Sequence, residues 1–207
     1  MKKIAIIVLL LTASVATGRA QESRQDISLS GTGFITPYKA STTDVYVSSV
    51  STFGALLSYR FMLTPSSALE GNYGIAYQTK YHYALEGPQN QIVPARTQEI
   101  SAAYVRSFNY KKFNPFIEAG PGAMIFLPIR NSGLQNLDAK QQTGIGGLYG
   151  GGIAYEISPS FDIRAEYRGF ITKVPSFGQN GSGSSYNYNT NRWFNIYNPT
   201  IGVAYHF

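Results

Sequence analysis

His82 and His206 are the only histidines in the chain, and cysteine is absent. These two facts restrict the chemistry sharply. Without cysteine there is no thiolate nucleophile, thiolate metal site or disulfide framework. A metal centre needs three or four convergent ligands, and an isolated His82 near the start of a polar stretch supplies one, so no metal or other cofactor is expected. His82 has no serine and acid nearby in a catalytic spacing, and His206 stands in the last segment, so no catalytic residues are assigned and an enzyme is not expected. The acids are dispersed, with no local carboxylate pair for acid–base work; Glu156 and Asp162 flank a tight turn and read as a solvated rim. The charged residues that remain conspicuous are Arg60, Glu70, Glu99, Glu118, Arg164, Glu166 and Arg168, each set within an alternating apolar segment.

That alternation identifies the elements carrying them. In Phe161-Asp162-Ile163-Arg164-Ala165-Glu166-Tyr167-Arg168-Gly169-Phe170-Ile171, one face carries Phe, Ile, Ala, Tyr and Gly while the other carries Asp, Arg, Glu and Arg. A period of two is that of a β-strand. Seven further segments, at 26–36, 50–63, 68–80, 96–108, 114–127, 144–157 and 196–207, are of similar length, the first being diluted by Ser and Gly. Three connections are short turns, at 64–67, 109–113 and 158–160. Four are long and polar, at 37–49, 81–95, 130–143 and 174–195, the last containing Gly178-Gln179-Asn180-Gly181-Ser182-Gly183-Ser184-Ser185. Strict alternation of long and short connections puts all tight turns at one end of an up-and-down meander. Membrane barrels have that asymmetry, whereas the Greek-key connections of a soluble sandwich cross between sheets.

The start of the chain points the same way. Lys2 and Lys3 precede an apolar run over residues 4–11 and small residues ending at Gly18-Arg19-Ala20, the layout of a secretory signal peptide cleaved after Ala20. The run is far short of the roughly 20 residues of a spanning helix. The expected organisation is a signal peptide over 1–20 and one domain over 21–207. Losing Lys2, Lys3 and Arg19 halves the formal charge from +6 to +3. No basic stripe with interleaved aromatics is left, so nucleic acid is not an expected partner. The composition, 14% aromatic with 16 Tyr, 12 Phe and 21 Gly but only 14% charged, suits a sheet in lipid better than a soluble domain.

In lipid the orientation of each strand is decided by cost. A charged side chain facing hydrocarbon costs on the order of 2 to 4 kcal/mol in such barrels. The seven mid-strand charges must therefore point inward, while Phe53, Leu57, Tyr73, Ile100, Ile117, Ile153 and their same-face neighbours point to lipid. An eight-stranded interior is just wide enough to be filled by side chains. Arg60, Arg164 and Arg168 are accordingly expected to pair with some of Glu70, Glu99, Glu118 and Glu166 as a polar plug. Gly120, Gly122, Gly150 and Gly152 fall on the same inner face. They leave room either for long arginines reaching across or for a cavity. Aromatics near strand ends form two belts: Tyr59, Phe61, Phe116, Tyr155, Phe161, Tyr205 and Phe207 at the short-turn end, and Tyr77, Tyr81, Phe126, Tyr167, Trp193 and Tyr197 at the other.

The chain ends Thr200-Ile201-Gly202-Val203-Ala204-Tyr205-His206-Phe207. This pattern resembles the C-terminal signal by which the outer-membrane assembly machinery recognises barrel precursors. With Asn114-Pro115-Phe116-Ile117-Glu118-Ala119-Gly120-Pro121-Gly122, Tyr149-Gly150-Gly151-Gly152-Ile153-Ala154-Tyr155 and the seventh strand, the chain from about Gln21 resembles the small outer-membrane β-barrel domain family of the OmpA/OmpX type. The resemblance implies an all-β fold, an eight-stranded antiparallel up-and-down transmembrane β-barrel in the bacterial outer membrane. It implies assembly roles for Thr200, Gly202, Tyr205 and Phe207, and outer-membrane lipid, lipopolysaccharide and the assembly machinery as partners. No peptidoglycan-binding domain is expected to follow. The expected role is non-enzymatic, in envelope integrity or surface interaction through exposed loops whose ligand is unknown. The alternatives are a narrow pore or conduit for small hydrophobic compounds, motivated by the inner glycines, and a lipid-modifying enzyme.

Overall fold

Ten β-strands make up a single antiparallel sheet in the computed structural model, which describes residues 24–36, 39–40, 45–49, 51–85, 90–129, 139–178 and 191–207. They are β1 (Gln25–Phe34), β2 (Lys39–Ala40), β3 (Val45–Ser49), β4 (Thr52–Thr64), β5 (Ser67–Leu85), β6 (Asn90–Ser107), β7 (Phe113–Pro128), β8 (Gln142–Ser158), β9 (Phe161–Lys173) and β10 (Trp193–His206). The leader expected over 1–20 lies outside the described residues.

Eight of these strands close a barrel. From β4 to β10 each long strand pairs with its successor in the chain. β1 then closes the ring by pairing with β10 on one side and β4 on the other, through Ser28↔Ala204 and Ser28↔Ser58. Closure leaves no unpaired edge among these strands, which is what a strand structure needs in a medium without hydrogen-bonding solvent. At the short-turn end neighbouring turns are tied by backbone bonds. Ser107 N donates to Ser66 O at 2.9 Å, Glu156 N to Lys112 O at 3.0 Å, and His206 N to Ser160 O at 2.9 Å.

The polar stretches at the other end contain more strand than their composition suggests. β5 and β6 continue pairing through Tyr81↔Val93 to Ala84↔Asn90, so most of the 81–95 segment is sheet and not loop. β3 extends this sheet edge above β4, pairing Ser49↔Tyr81, and β2 pairs with β3 within the segment expected to be an irregular loop at 37–49. Once two strands are in register, each further pair satisfies backbone groups whatever the side chains are. Polar composition is therefore a poor marker of where a barrel wall stops.

Along each strand, outward residues are apolar and exposed: Phe53, Leu57, Tyr73, Ile100, Ile117, Ile153, Ile201 and Val203 among them. A belt of this extent would be an aggregation surface in water. It is the surface that lipid covers. Inward residues divide into two halves. The half near the short turns holds the buried charges, and the other holds an apolar core of Phe34, Met124, Phe126, Leu148, Phe170 and Ile196 with their neighbours. The interior expected to be polar throughout is thus polar over only part of its height.

Candidate functional site: the barrel lumen

Three arginines organise the polar half. Arg164, on β9, donates from Nη1 to Asp26 Oδ1 at 2.9 Å and from Nη2 to Asp26 Oδ2 at 2.7 Å. Arg60, on β4, donates from Nε to Glu70 Oε2 at 2.7 Å, and its guanidinium lies 4.8 Å from the Phe116 ring centre. Arg168 bridges two acids, donating from Nη2 to Glu99 Oε1 at 2.8 Å and from Nε to Glu118 Oε1 at 3.1 Å. Ser101 Oγ donates to the same Glu99 oxygen at 2.8 Å. All these charged side chains are 3% exposed or less. The strands place them there by pleat parity: 26 on β1, 60 on β4, 70 on β5, 99 on β6, 118 on β7, and 164 and 168 on β9 all face the axis.

One acid departs from the pairing expected from sequence. Asp26, outside the four acids expected as partners, is the partner of Arg164; it sits at the start of the diluted first strand, where a lone acid looks like a strand boundary. Of the four acids expected to supply partners, Glu166 forms no direct ion pair or hydrogen bond among the described residues. It lines a separate pocket with β1 and β10. Asp26, Glu70, Glu99, Glu118 and Glu166 therefore surround three arginines, and Asp162 and Glu156 share the same inner face nearer the short turns.

The rim at the short-turn end is also more structured than its composition suggests. Asp162 is buried and not solvated: its Oδ2 lies 2.8 Å from His206 Nε2, while His206 Nδ1 is 3.9 Å from Asp26 Oδ2. The strand register brings them together, pairing Ala204↔Asp162 and Asp26↔His206. This aligns an imidazole between two carboxylates, a set that sequence spacing does not reveal. No hydroxyl nucleophile is hydrogen-bonded to His206 among the described residues. No group of three metal-ligating side chains occurs among them either.

The inner glycines are occupied space. A Cβ at Gly122 would stand 2.7 Å from the Phe170 ring, one at Gly152 would stand 2.9 Å from the Phe116 ring, and one at Gly150 would stand 2.9 Å from Glu118 Oε1. At Gly120 it would collide with the Ala102 carbonyl of the neighbouring strand. Aromatic rings take part of the room at Gly122 and Gly152, and neighbouring backbone and Glu118 take the rest. Phe116, Tyr81 and Phe126, assigned to the interfacial belts from their nearness to strand ends, are buried inside instead. Phe116 and Phe126 share the parity of Glu118. Tyr81 turns inward because the β5–β6 register shifts between Ala76 and Thr79, exchanging inner and outer faces beyond that point. The other belt residues face outward, exposed or half-buried.

Above the apolar half, residues 174–178 fold back into the mouth of the barrel. Phe177 is fully buried, with its ring 5.6 Å from Tyr81 and 6.5 Å from Phe126. Gln142 Oε1 holds the segment by accepting from Ser176 N at 2.6 Å and Phe177 N at 3.0 Å. Phe177 itself has φ of 49°, a left-handed conformation that a bulky residue adopts only when its surroundings hold it there.

In the terminal strand, Thr200 faces inward and donates to Thr32 Oγ1 at 3.0 Å. Gly202 lies opposite Ser30, where any side chain would collide with the Leu29 carbonyl. Tyr205 and Phe207 stack on the outer face with ring centres 6.0 Å apart.

Residues 5–207 match the family described as outer membrane protein beta-barrel domain. No curated protein sequence matches the chain. Among solved structures, OprG from Pseudomonas aeruginosa superposes with a TM-score of 0.63 at 12% identity, covering 90% of this chain and 97% of that one. Neisserial surface protein A gives 0.55 at 14% identity, covering 89% and 98%. Ail of Yersinia pestis, solved in complex with the heparin analogue sucrose octasulfate, gives 0.54 at 16% identity, covering 90% and 100%. At these identities the likeness is one of fold.

Proposed function

The chain belongs to the outer membrane protein beta-barrel domain family, and from that premise we propose that it is a non-conducting, non-enzymatic barrel acting in envelope integrity or surface interaction at its outward end. Its place is the bacterial outer membrane, with the apolar belt against lipid and, in the outer leaflet, lipopolysaccharide. The reading rests above all on the Arg168 bridge to Glu99 and Glu118, which spans the middle of an interior only eight strands wide. A water-filled channel would need those groups parted, breaking the charge-assisted hydrogen bonds that join β9 to β6 and β7 across the lumen. The terminal residues Thr200, Gly202, Tyr205 and Phe207 serve recognition by the barrel assembly machinery. Planar-bilayer recording tests the main reading. Silence from the folded wild-type protein is the expected result, and steady ion current would overturn it.

A second reading, a conduit for small hydrophobic compounds, draws on the apolar half of the lumen beneath Phe177. Phe177→Ala should then speed entry of an apolar dye into liposomes carrying the protein. An unchanged rate in both proteins removes this reading and leaves the first untouched.

A further inference from the structure

The wall of the barrel is interrupted where its first and last strands meet. Ile35 and Tyr197 exchange both backbone hydrogen bonds at 2.8 Å. In an antiparallel ladder the next exchanging pair lies two residues along each strand, which is Gly33 with Pro199. Proline has no N–H to donate, so one rung is missing there. Regular pairing of β1 with β10 stops at Thr32↔Thr200. Gly31 and Gly33 also leave the outer face of β1 without side chains between the exposed Phe53 of β4 and Ile201 of β10.

A pocket of about 610 Å³ occupies this seam, within the range of roughly 300–1,000 Å³ of small-molecule sites. Its walls include the lipid-facing Gly31, Ile35, Phe53, Pro199 and Ile201, and its lining reaches the inward-facing Glu166. Glu166 belongs there by register, since Thr32 pairs with Thr200 and Thr200 with Glu166 across three adjacent strands. Its carboxylate has no direct ion pair or hydrogen bond among the described residues, in an interior where acids outnumber arginines.

We propose that this seam is a binding site for a cationic amphiphile, whose apolar chain lies along Gly31, Phe53 and Ile201 and whose ammonium head meets the Glu166 carboxylate. The chain fits because the outer part of the pocket is apolar and opens on the surface that lipid covers. A cationic head fits because the lumen arginines make their direct ion pairs with other acids, and a charge-assisted hydrogen bond at Glu166 satisfies a carboxylate that has none. An anionic head would add to the negative excess. The site is independent of conduction through the lumen, and a plugged barrel holds it equally well.

Photolabelling of the folded protein in phospholipid nanodiscs tests the assignment, with a diazirine-bearing dodecylammonium and the matching uncharged dodecanol. Saturable insertion of the ammonium probe into residues 31–35 and 51–54 is the expected result. Glu166→Gln should weaken apparent affinity for the ammonium probe about tenfold and leave labelling by the alcohol unchanged. Gly31→Leu fills the groove, where only the Ile201 carbonyl comes within 4.0 Å of a new Cβ, and should abolish labelling by both probes. Retention of the heat-dependent gel shift shows that each variant is a folded barrel. Labelling spread evenly round the lipid-facing belt, or unaffected by either substitution in a folded variant, overturns the proposal.

Discussion

Arg164 and Asp26 lie 138 residues apart in sequence and are joined by two parallel hydrogen bonds of 2.9 and 2.7 Å inside the barrel. Their strands, β9 and β1, are not neighbours; β10 runs between them. The pair therefore fastens the chain's first strand to its seventh barrel strand across the seam that closes the cylinder.

Removing one member of this pair should be far worse than removing both. Asp26→Asn or Arg164→Met alone is expected to lower stability by about 3–5 kcal/mol, because each leaves a buried polar or charged group without its partner. The double variant Asp26→Leu with Arg164→Met should recover most of that loss. Urea titration of the protein refolded in lipid vesicles, followed by the gel shift of the closed barrel, measures all three. A double variant as unstable as the worse single one would show that the pair is not the unit concerned.

Phe170 and Gly122 form a complementary fit. Phe170→Ala empties a fully buried ring site and should cost about 3–5 kcal/mol, while Gly122→Val drives methyl groups into the Phe170 ring and should cost about 1–3 kcal/mol. Combining the two should give less than the sum of the losses, since the new side chain enters the vacated space. Strict additivity in the same urea titration would contradict this packing.

The Gln142 oxygen is one fastening of the segment over the mouth, beside the 2.8 Å bond that Lys140 N donates to Phe177 O. Gln142→Ala removes the acceptor shared by Ser176 N and Phe177 N and should speed hydrogen exchange at these two amides by about tenfold or more. Exchange in the centre of β9 should stay as slow as in the wild type. Equal acceleration at both places would mean that the whole barrel had been weakened.

At the C-terminal end, Phe207→Ala and Tyr205→Ala should slow assembly into the outer membrane in cells while changing stability by at most about 1 kcal/mol once folded in detergent, because both rings lie on the outer face. Pulse-labelling with membrane fractionation reports the first quantity and urea titration the second. Normal assembly rates would remove the recognition role.

Much of this architecture was readable in advance because a membrane strand obeys a rule of parity. The alternation of Arg164, Glu166 and Arg168 with Ile163, Ala165 and Tyr167 separates an inner from an outer face. Glu118 and Ile117 do the same on β7. The spacing of short turns around Pro65, Lys111 and Pro159 orders the strands into a meander with one tight end. Those features mark a membrane barrel, and the family was legible through the resemblance carried by residues 114–122, 149–155 and 200–207.

Partnership, by contrast, was undetermined by any local pattern. Parity says that Arg164 faces inward, but only the register of three strands puts Asp26 within its reach and leaves Glu166 beside the seam. A bulge after Ala76 turned Tyr81 from belt to core, and the return of Phe177 into the mouth came from a segment whose composition reads as loop. The amino-acid order determined the cylinder and which way most side chains point, because a period of two and the cost of charge in lipid act residue by residue. Which inward groups meet, and what fills the centre, was decided by closure of the sheet, because that alone brings distant strands to a common axis.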